Sequence, residues 1–225
     1  MMDYSYLYNK IDHTLLKPTT RRQDIEKLCD EALIYGFASV CIPPCYVAAA
    51  AERLQSRVPV CTVIGFPLGY NSRETKMAEA SQALKDGATE LDMVINIGRM
   101  LMDDEPYVYG EIAAIKALAG KNTVKVIIET CLLNEDQKIL LCRLVTRAGA
   151  DFIKTSTGFA GGGATVEDVR LLRQQVGSAV RVKAAGGIRT AEQAAALVEA
   201  GADRLGMSSA LSAFGLAEPA ERQVQ

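Results

Sequence analysis

The sequence predicts an α/β protein folded as a closed (β/α)8 barrel, the TIM-barrel architecture, and three observations lead there. One phrase recurs, as Asp86-Gly87-Ala88, Ala148-Gly149-Ala150 and Ala200-Gly201-Ala202, with a looser copy at Tyr35-Gly36-Phe37. Each copy follows a helical pattern and precedes a strand pattern, so its glycine reads as the left-handed residue just past a helix end. These glycines stand 51, 62 and 52 residues apart, a distance that holds two strand-plus-helix units of such a barrel rather than one. The intervening chain supplies the missing strands, and strands alternating with ordinary helices imply a parallel sheet. An open doubly wound sheet is the alternative, but it needs a phosphate-binding glycine turn after the first strand, where this chain has Leu15-Leu16-Lys17-Pro18. No linker or composition break divides the 225 residues, so 1–225 is expected to be a single domain.

The eight strands are expected at Lys10–His13, Ser39–Ile42, Val60–Gly65, Glu90–Asn96, Val124–Glu129, Phe152–Thr155, Val180–Ala185 and Arg204–Met207. After the first, Ile25, Leu28, Cys29, Ala32 and Leu33 recur at helical spacing and form one apolar face. Thr20 with Gln23 has the form of its capping box. After the fifth strand, Leu141, Leu144, Val145 and Ala148 repeat the logic behind Asn134 as cap and Gln137 three residues on. Thr165 with Asp168, and Thr190 with Gln193, open two more helices in the same way.

Composition narrows the function. With 25 Lys+Arg against 27 Asp+Glu the net charge is -2, so no positive excess is available for a nucleic-acid backbone. The start, Met1-Met2-Asp3-Tyr4-Ser5, has the form of neither a signal peptide nor a membrane anchor. The 6 cysteines are scattered without a Cys-x-x-Cys pair, as reduced thiols in a cytoplasmic protein would be. His13 is the only histidine, which excludes His-Glu-x-x-His zinc sites and three-histidine metal shells. Base chemistry then falls mostly to carboxylates or lysines.

A barrel of this kind carries its active site where the strands end, and three charged residues stand there: Asp92, Lys154 and Lys183. Burying such charges costs several kcal/mol without partners. They form either a structural Asp–Lys pair or a reactive site, and two lysines beside one aspartate favour the second reading. Neighbouring ammonium groups disfavour each other's protonation, and desolvation acts the same way, so one lysine is expected to be partly neutral near pH 7. A neutral lysine attacks carbonyls and yields a protonated imine, an electron sink that makes the adjacent carbon–carbon bond breakable. Asp92 is placed to move protons directly or through water.

The loops after the late strands are rich in glycine: Gly158 with Gly161-Gly162-Gly163, then Gly186-Gly187, then Gly206 before Ser208-Ser209 at a short helix start. Each alone reads as an ordinary loop. Together, beside two strand-end lysines, they offer the backbone N–H groups and hydroxyls by which barrels hold phosphate.

Five phrases carry a resemblance across nearly the whole chain: Lys10-Ile11-Asp12-His13-Thr14-Leu15-Leu16-Lys17-Pro18, Leu91-Asp92-Met93-Val94-Ile95-Asn96, Val126-Ile127-Ile128-Glu129-Thr130, Lys154-Thr155-Ser156-Thr157-Gly158-Phe159 and Lys183-Ala184-Ala185-Gly186-Gly187-Ile188-Arg189-Thr190. The chain resembles the deoxyribose-phosphate aldolases in their shorter bacterial form. The resemblance implies a metal-independent class I aldolase that reversibly cleaves 2-deoxy-D-ribose 5-phosphate to D-glyceraldehyde 3-phosphate and acetaldehyde, in deoxynucleoside breakdown. It makes Lys154 the Schiff-base lysine, Lys183 its pKa-lowering neighbour and Asp92 part of a proton relay. It puts Asp12, Cys41 and Thr155 at substrate positions and Gly158, Gly186, Gly187, Ser208 and Ser209 around the phosphate, though Asp12 also reads as a pairing residue and Cys41 as a buried hydrophobe. His13 reads as a satisfied histidine. Phe159 stands where the longer form has a lysine, Met207 where Ala or Thr is usual, and Glu218–Gln225 holds no tyrosine. These departures imply weaker phosphate discrimination or slower proton exchange. The imine logic alone also fits a transaldolase-like or keto-acid aldolase, and a phosphometabolite-binding barrel without catalysis stands as the non-enzyme alternative. A homo-oligomer, most simply a dimer, is expected.

Overall fold

A computed structural model describes residues 3–217. Eight parallel strands close on themselves in sequence order. They are β1 (Ile11–Thr14), β2 (Ser39–Ile42), β3 (Val60–Ile64), β4 (Glu90–Val94), β5 (Thr123–Ile127), β6 (Phe152–Lys154), β7 (Arg181–Ala185) and β8 (Arg204–Met207). Most differ by a residue or two from the sequence expectation, as at Glu90–Asn96 and Val124–Glu129, because the last apolar residues of those runs turn into loops at the barrel mouth. The open-sheet alternative is excluded by the β1–β8 pairing, in which Asp12 is level with Gly206.

The helices are α1 (Arg22–Tyr35), α2 (Val47–Leu54), α3 (Arg73–Lys85), α4 (Ile97–Leu101), α5 (Glu105–Ala119), α6 (Glu135–Ala148), α7 (Val166–Gln175), α8 (Ala191–Glu199) and α9 (Ala210–Phe214). In α1 the residues Ile25, Leu28, Cys29 and Ala32 are buried against the sheet, each large side chain contributing about 1.5–3 kcal/mol by leaving water. Left-handed Gly36 ends α1 and left-handed Gly149 ends α6, as the recurring phrase requires. The Asn134–Gln137 and Thr190–Gln193 boxes form as read. Thr165 caps α7 by accepting from Asp168 N. The Thr20–Gln23 box does not form. Thr20 N is already committed to Lys17 O in a turn, so the helix starts one residue later, with the Asp24 carboxylate accepting from Arg21 N at 2.8 Å.

Apolar burial divides unevenly. One large cluster lies between the sheet and the helices, and it includes Met207 of β8. Inside the barrel the apolar set is small, with Cys41, Cys61 and Val63 flanked by Leu16 and Phe66. Much of the remaining interior is charged, with Asp12, Glu90, Asp92, Lys125, Lys154 and Lys183 all buried. Phe152 lies there under the guanidinium groups of Arg181 at 4.0 Å and Arg204 at 5.9 Å.

Candidate active site

Parallel register brings the charged residues together. Asp92 on β4 is level with Lys125 on β5, and Lys154 on β6 is level with Lys183 on β7. Alternation turns all four side chains inward, and Asp92, Lys125 and Lys183 are fully buried.

Asp92 is the hub. Its Oδ2 accepts from Lys154 Nζ at 2.7 Å and from Lys183 Nζ at 2.7 Å, while Oδ1 accepts from Lys125 Nζ at 2.8 Å and Cys61 Sγ at 3.1 Å. Lys183 also donates to Asp12 Oδ2. Arg204 donates from Nε to Asp12 Oδ1 at 2.8 Å and reaches Glu90 at 2.6 Å, and Glu90 lies 2.5 Å from Lys125. Three carboxylates thus face four cations in one connected network.

The network sets the charge states. Burial pushes the Asp92 carboxyl up, but Lys125, Lys154 and Lys183 outweigh it and hold that carboxyl well below the usual range. Asp12 is lowered likewise, burial being overcome by Lys183, Lys125 and Arg204. Burial pulls Lys183 down, yet Asp12 and Asp92 raise it above an ordinary lysine. Burial also opposes the charge on Lys125, and Asp92 with its neighbours raises it well above the ordinary value.

Lys154 alone of the three lysines opens onto space. It lines a cavity of about 310 Å³ at the C-terminal ends of the strands, with Thr157, Gly158, Gly186, Gly187 and Ser208 along the wall. The glycines admit close backbone approach: a Cβ on Gly163 would meet Gly186 O at 2.3 Å. Glu129, in the left-handed region at φ 54°, anchors the loop after β6 by accepting from Thr157 N and from Thr157 Oγ1 at 2.5 Å. Phe159 N donates to Thr157 Oγ1 at 3.0 Å, and the Phe159 ring stands edge-on to Phe66 at 5.2 Å.

Several expected contacts lie elsewhere. Both oxygens of Asp12 are taken by Lys183 and Arg204, so this carboxylate sits beneath the cavity and holds Lys183. Thr155 Oγ1 bridges the backbone of Ala185, accepting from its N and donating to its O. Ser209 Oγ donates to Ile188 O at 2.9 Å and braces the glycine loop, leaving Ser208 on the wall. Cys41 is fully buried and level with Cys61. Those two thiols and Asp92 bring three potential metal-ligand atoms within 4.8 Å, though Asp92 and Cys61 already bind ammonium groups. His13 Nε2 meets Glu31 at 2.6 Å on the outer side of β1, but its buried Nδ1 has no hydrogen-bond partner among the described residues, so the histidine is satisfied on one side of the ring, not on both as expected. Lys125, Glu90 and Arg204 were not singled out in the sequence, although Lys125 between Val124 and Val126 breaks an apolar run as plainly as Lys154 does.

One lysine amine open to a cavity, with an ammonium and a carboxylate behind it at the mouth of a (β/α)8 barrel, defines a barrel aldolase. The comparisons are specific. Residues 7–215 match the model of the DeoC/LacD family aldolases. The deoxyribose-phosphate aldolase of Thermoanaerobacter sp. (strain X514) is 58% identical over 203 residues, covering 88% of this chain and 91% of that one. Deoxyribose-phosphate aldolase 1 of Bacillus licheniformis is 57% identical over 204 residues, covering 90% and 92%. Among solved structures, a putative deoxyribose-phosphate aldolase from Coccidioides immitis superposes with a TM-score of 0.92 at 42% identity, over 95% of this chain and 86% of that one. The tetrameric deoxyribose phosphate aldolase from Aeropyrum pernix gives 0.87 at 39% identity, over 95% and 91%. The chain belongs to the DeoC/LacD aldolase family.

Proposed function

We propose that this protein is a class I aldolase that reversibly cleaves 2-deoxy-D-ribose 5-phosphate to D-glyceraldehyde 3-phosphate and acetaldehyde, with Lys154 as nucleophile. The observation that carries the reading is that Lys154 touches both the Asp92 hub and the open cavity. Neutral Lys154 adds to the C1 aldehyde of the open-chain sugar, and loss of water leaves an iminium. Removal of the C3 hydroxyl proton breaks the C2–C3 bond, and its electron pair enters the iminium to form an enamine as glyceraldehyde 3-phosphate departs. Protonation at C2 and hydrolysis then release acetaldehyde and free Lys154.

The network favours this path because an iminium is a cation where Asp92 already accepts from a cation, so the carboxylate is preorganised for the intermediate. Asp92 Oδ2, bonded to the amines of both Lys154 and Lys183, offers the proton relay between them. The phosphate is assigned to Gly158, Gly186, Gly187 and Ser208, with Ser209 holding that loop.

The protein is further proposed to be cytoplasmic, in keeping with its free cysteines, and to work as a homo-oligomer, most simply a dimer. Among the described residues no helix is long and apolar enough to cross a membrane. Leu68, Tyr70 and Met102 are exposed by 55%, 70% and 72%, which supports self-association.

The test is to incubate the protein with acetaldehyde, reduce with borohydride and locate the two-carbon adduct by peptide mass spectrometry. An adduct confined to Lys154, with turnover of the phosphorylated sugar, is expected. No adduct, or label spread over surface lysines, would remove the imine mechanism.

A further inference from the structure

The proposed substrate brings a phosphate of nearly two negative charges to the cavity mouth. The glycine loops meet it with N–H groups and Ser208, and Phe159 beside them carries no charge. Among the residues lining this cavity only Lys154 and Lys17 are cationic, and Lys154 is bonded to Asp92. Lys17 is exposed, and its ammonium makes no ion pair or hydrogen bond among the described residues.

Its main chain is held at the mouth. Leu15 N donates to Cys41 O at 2.9 Å, and Thr20 N donates to Lys17 O at 3.0 Å across a turn containing Pro18. Tyr46 Oη donates to Thr20 O at 2.8 Å, tying that turn to the segment after β2. The exposed side chain therefore extends from a fixed main chain at the cavity that Phe159 also lines. Lys17 also lines an adjoining cavity of about 350 Å³ that shares Thr14, Leu15 and Ser208 with the first. The carboxylates of that second cavity are engaged, Asp24 by Arg21 and Glu31 by His13, so neither competes for the ammonium.

We infer that Lys17 is the cation that pairs with the substrate phosphate in this chain and sets its preference for phosphorylated over free sugars. The inference rests on the aldolase reading. A charge-assisted contact of this kind is strong enough to change affinity about tenfold or more.

The test compares 2-deoxyribose 5-phosphate with 2-deoxyribose in the wild type, Lys17→Met and Lys17→Arg, with inorganic phosphate as competing inhibitor. In Lys17→Met the ratio of kcat/KM for the phosphorylated over the free sugar is expected to drop about tenfold or more, through KM rather than kcat. Phosphate inhibition should weaken by a similar factor, and arginine should restore most of both. An unchanged ratio, or an equal fall on both sugars, would overturn the inference while leaving the aldolase reading in place. A wild type that turns over neither sugar and traps no acetaldehyde on Lys154 would overturn both.

Discussion

Replacing Asp92 with asparagine alters the centre of the barrel by one charge and almost no volume. Its oxygens serve Lys125, Lys154 and Lys183 at 2.7–2.8 Å. An amide oxygen can still accept two of these bonds, but the NH2 group then points at an ammonium. Two carboxylates, Asp12 and Glu90, remain against four cations. Breaking a buried pair costs about 3–5 kcal/mol, which lowers Tm by roughly 6–20 °C for a chain of this size. Loss of the relay lowers kcat by about 10²–10⁴. The pH dependence follows from the shifts. The Asp92 carboxyl lies below its usual range, so its stabilisation is complete above about pH 4 and is lost as pH falls through the depressed value. Lys183 and Lys125 are raised, so theirs is complete below about pH 10 and is lost as pH rises further. Thermal melts of wild type and Asp92→Asn should therefore differ by a constant amount from about pH 5 to pH 9. Equal Tm values, or a difference that shrinks inside that window, would refute the charge network as the source of stability.

Two further outcomes are expected. Gly163→Ala places a Cβ 2.3 Å from Gly186 O, so the loop after β7 must shift; this should cost about 1–3 kcal/mol and raise KM for the phosphorylated sugar, and unchanged kinetics would mean that the loop does not hold the phosphate. Burial pushes the thiols of Cys29 and Cys142 up to about 12, whereas Cys45 and Cys131 are exposed. Native alkylation at about pH 8 followed by mass spectrometry should label the exposed pair and spare the buried one, and equal labelling would contradict this packing.

The architecture was legible because its punctuation is local. A glycine past a helix end and a Thr or Asn three residues before its partner act within one turn, so Gly36, Gly149, Asn134 and Thr190 are readable from neighbours alone. The Thr20 box failed on the same scale, because the Lys17–Thr20 turn had already used the amide. Asp92, Lys154 and Lys183 stood out as charges inside apolar strands. Lys125 carried the same signal, but Glu90 and Arg204 open their strands, where a charge usually meets solvent. Only barrel closure turns them inward, to each other and to Asp12. Closure likewise decides that Thr155 and Ser209 spend their hydroxyls on backbone, which no spacing in the chain encodes.

The charged interior is costly, since well-packed apolar residues of similar size would often be as stable or more so. The chain tolerates it because a separate, larger apolar cluster lies between sheet and helices. The interior can therefore be arranged for charge. With Lys154 neutral, three carboxylates balance the ammonium groups of Lys125 and Lys183 and the guanidinium of Arg204. With Lys154 protonated or present as an iminium, the network carries one positive charge. The nucleophile is thus the balanced state, and the intermediate restores the cation that Asp92 already binds. On this argument Glu90 and Arg204 matter to the reaction without touching the cavity, because each is one charge of that balance.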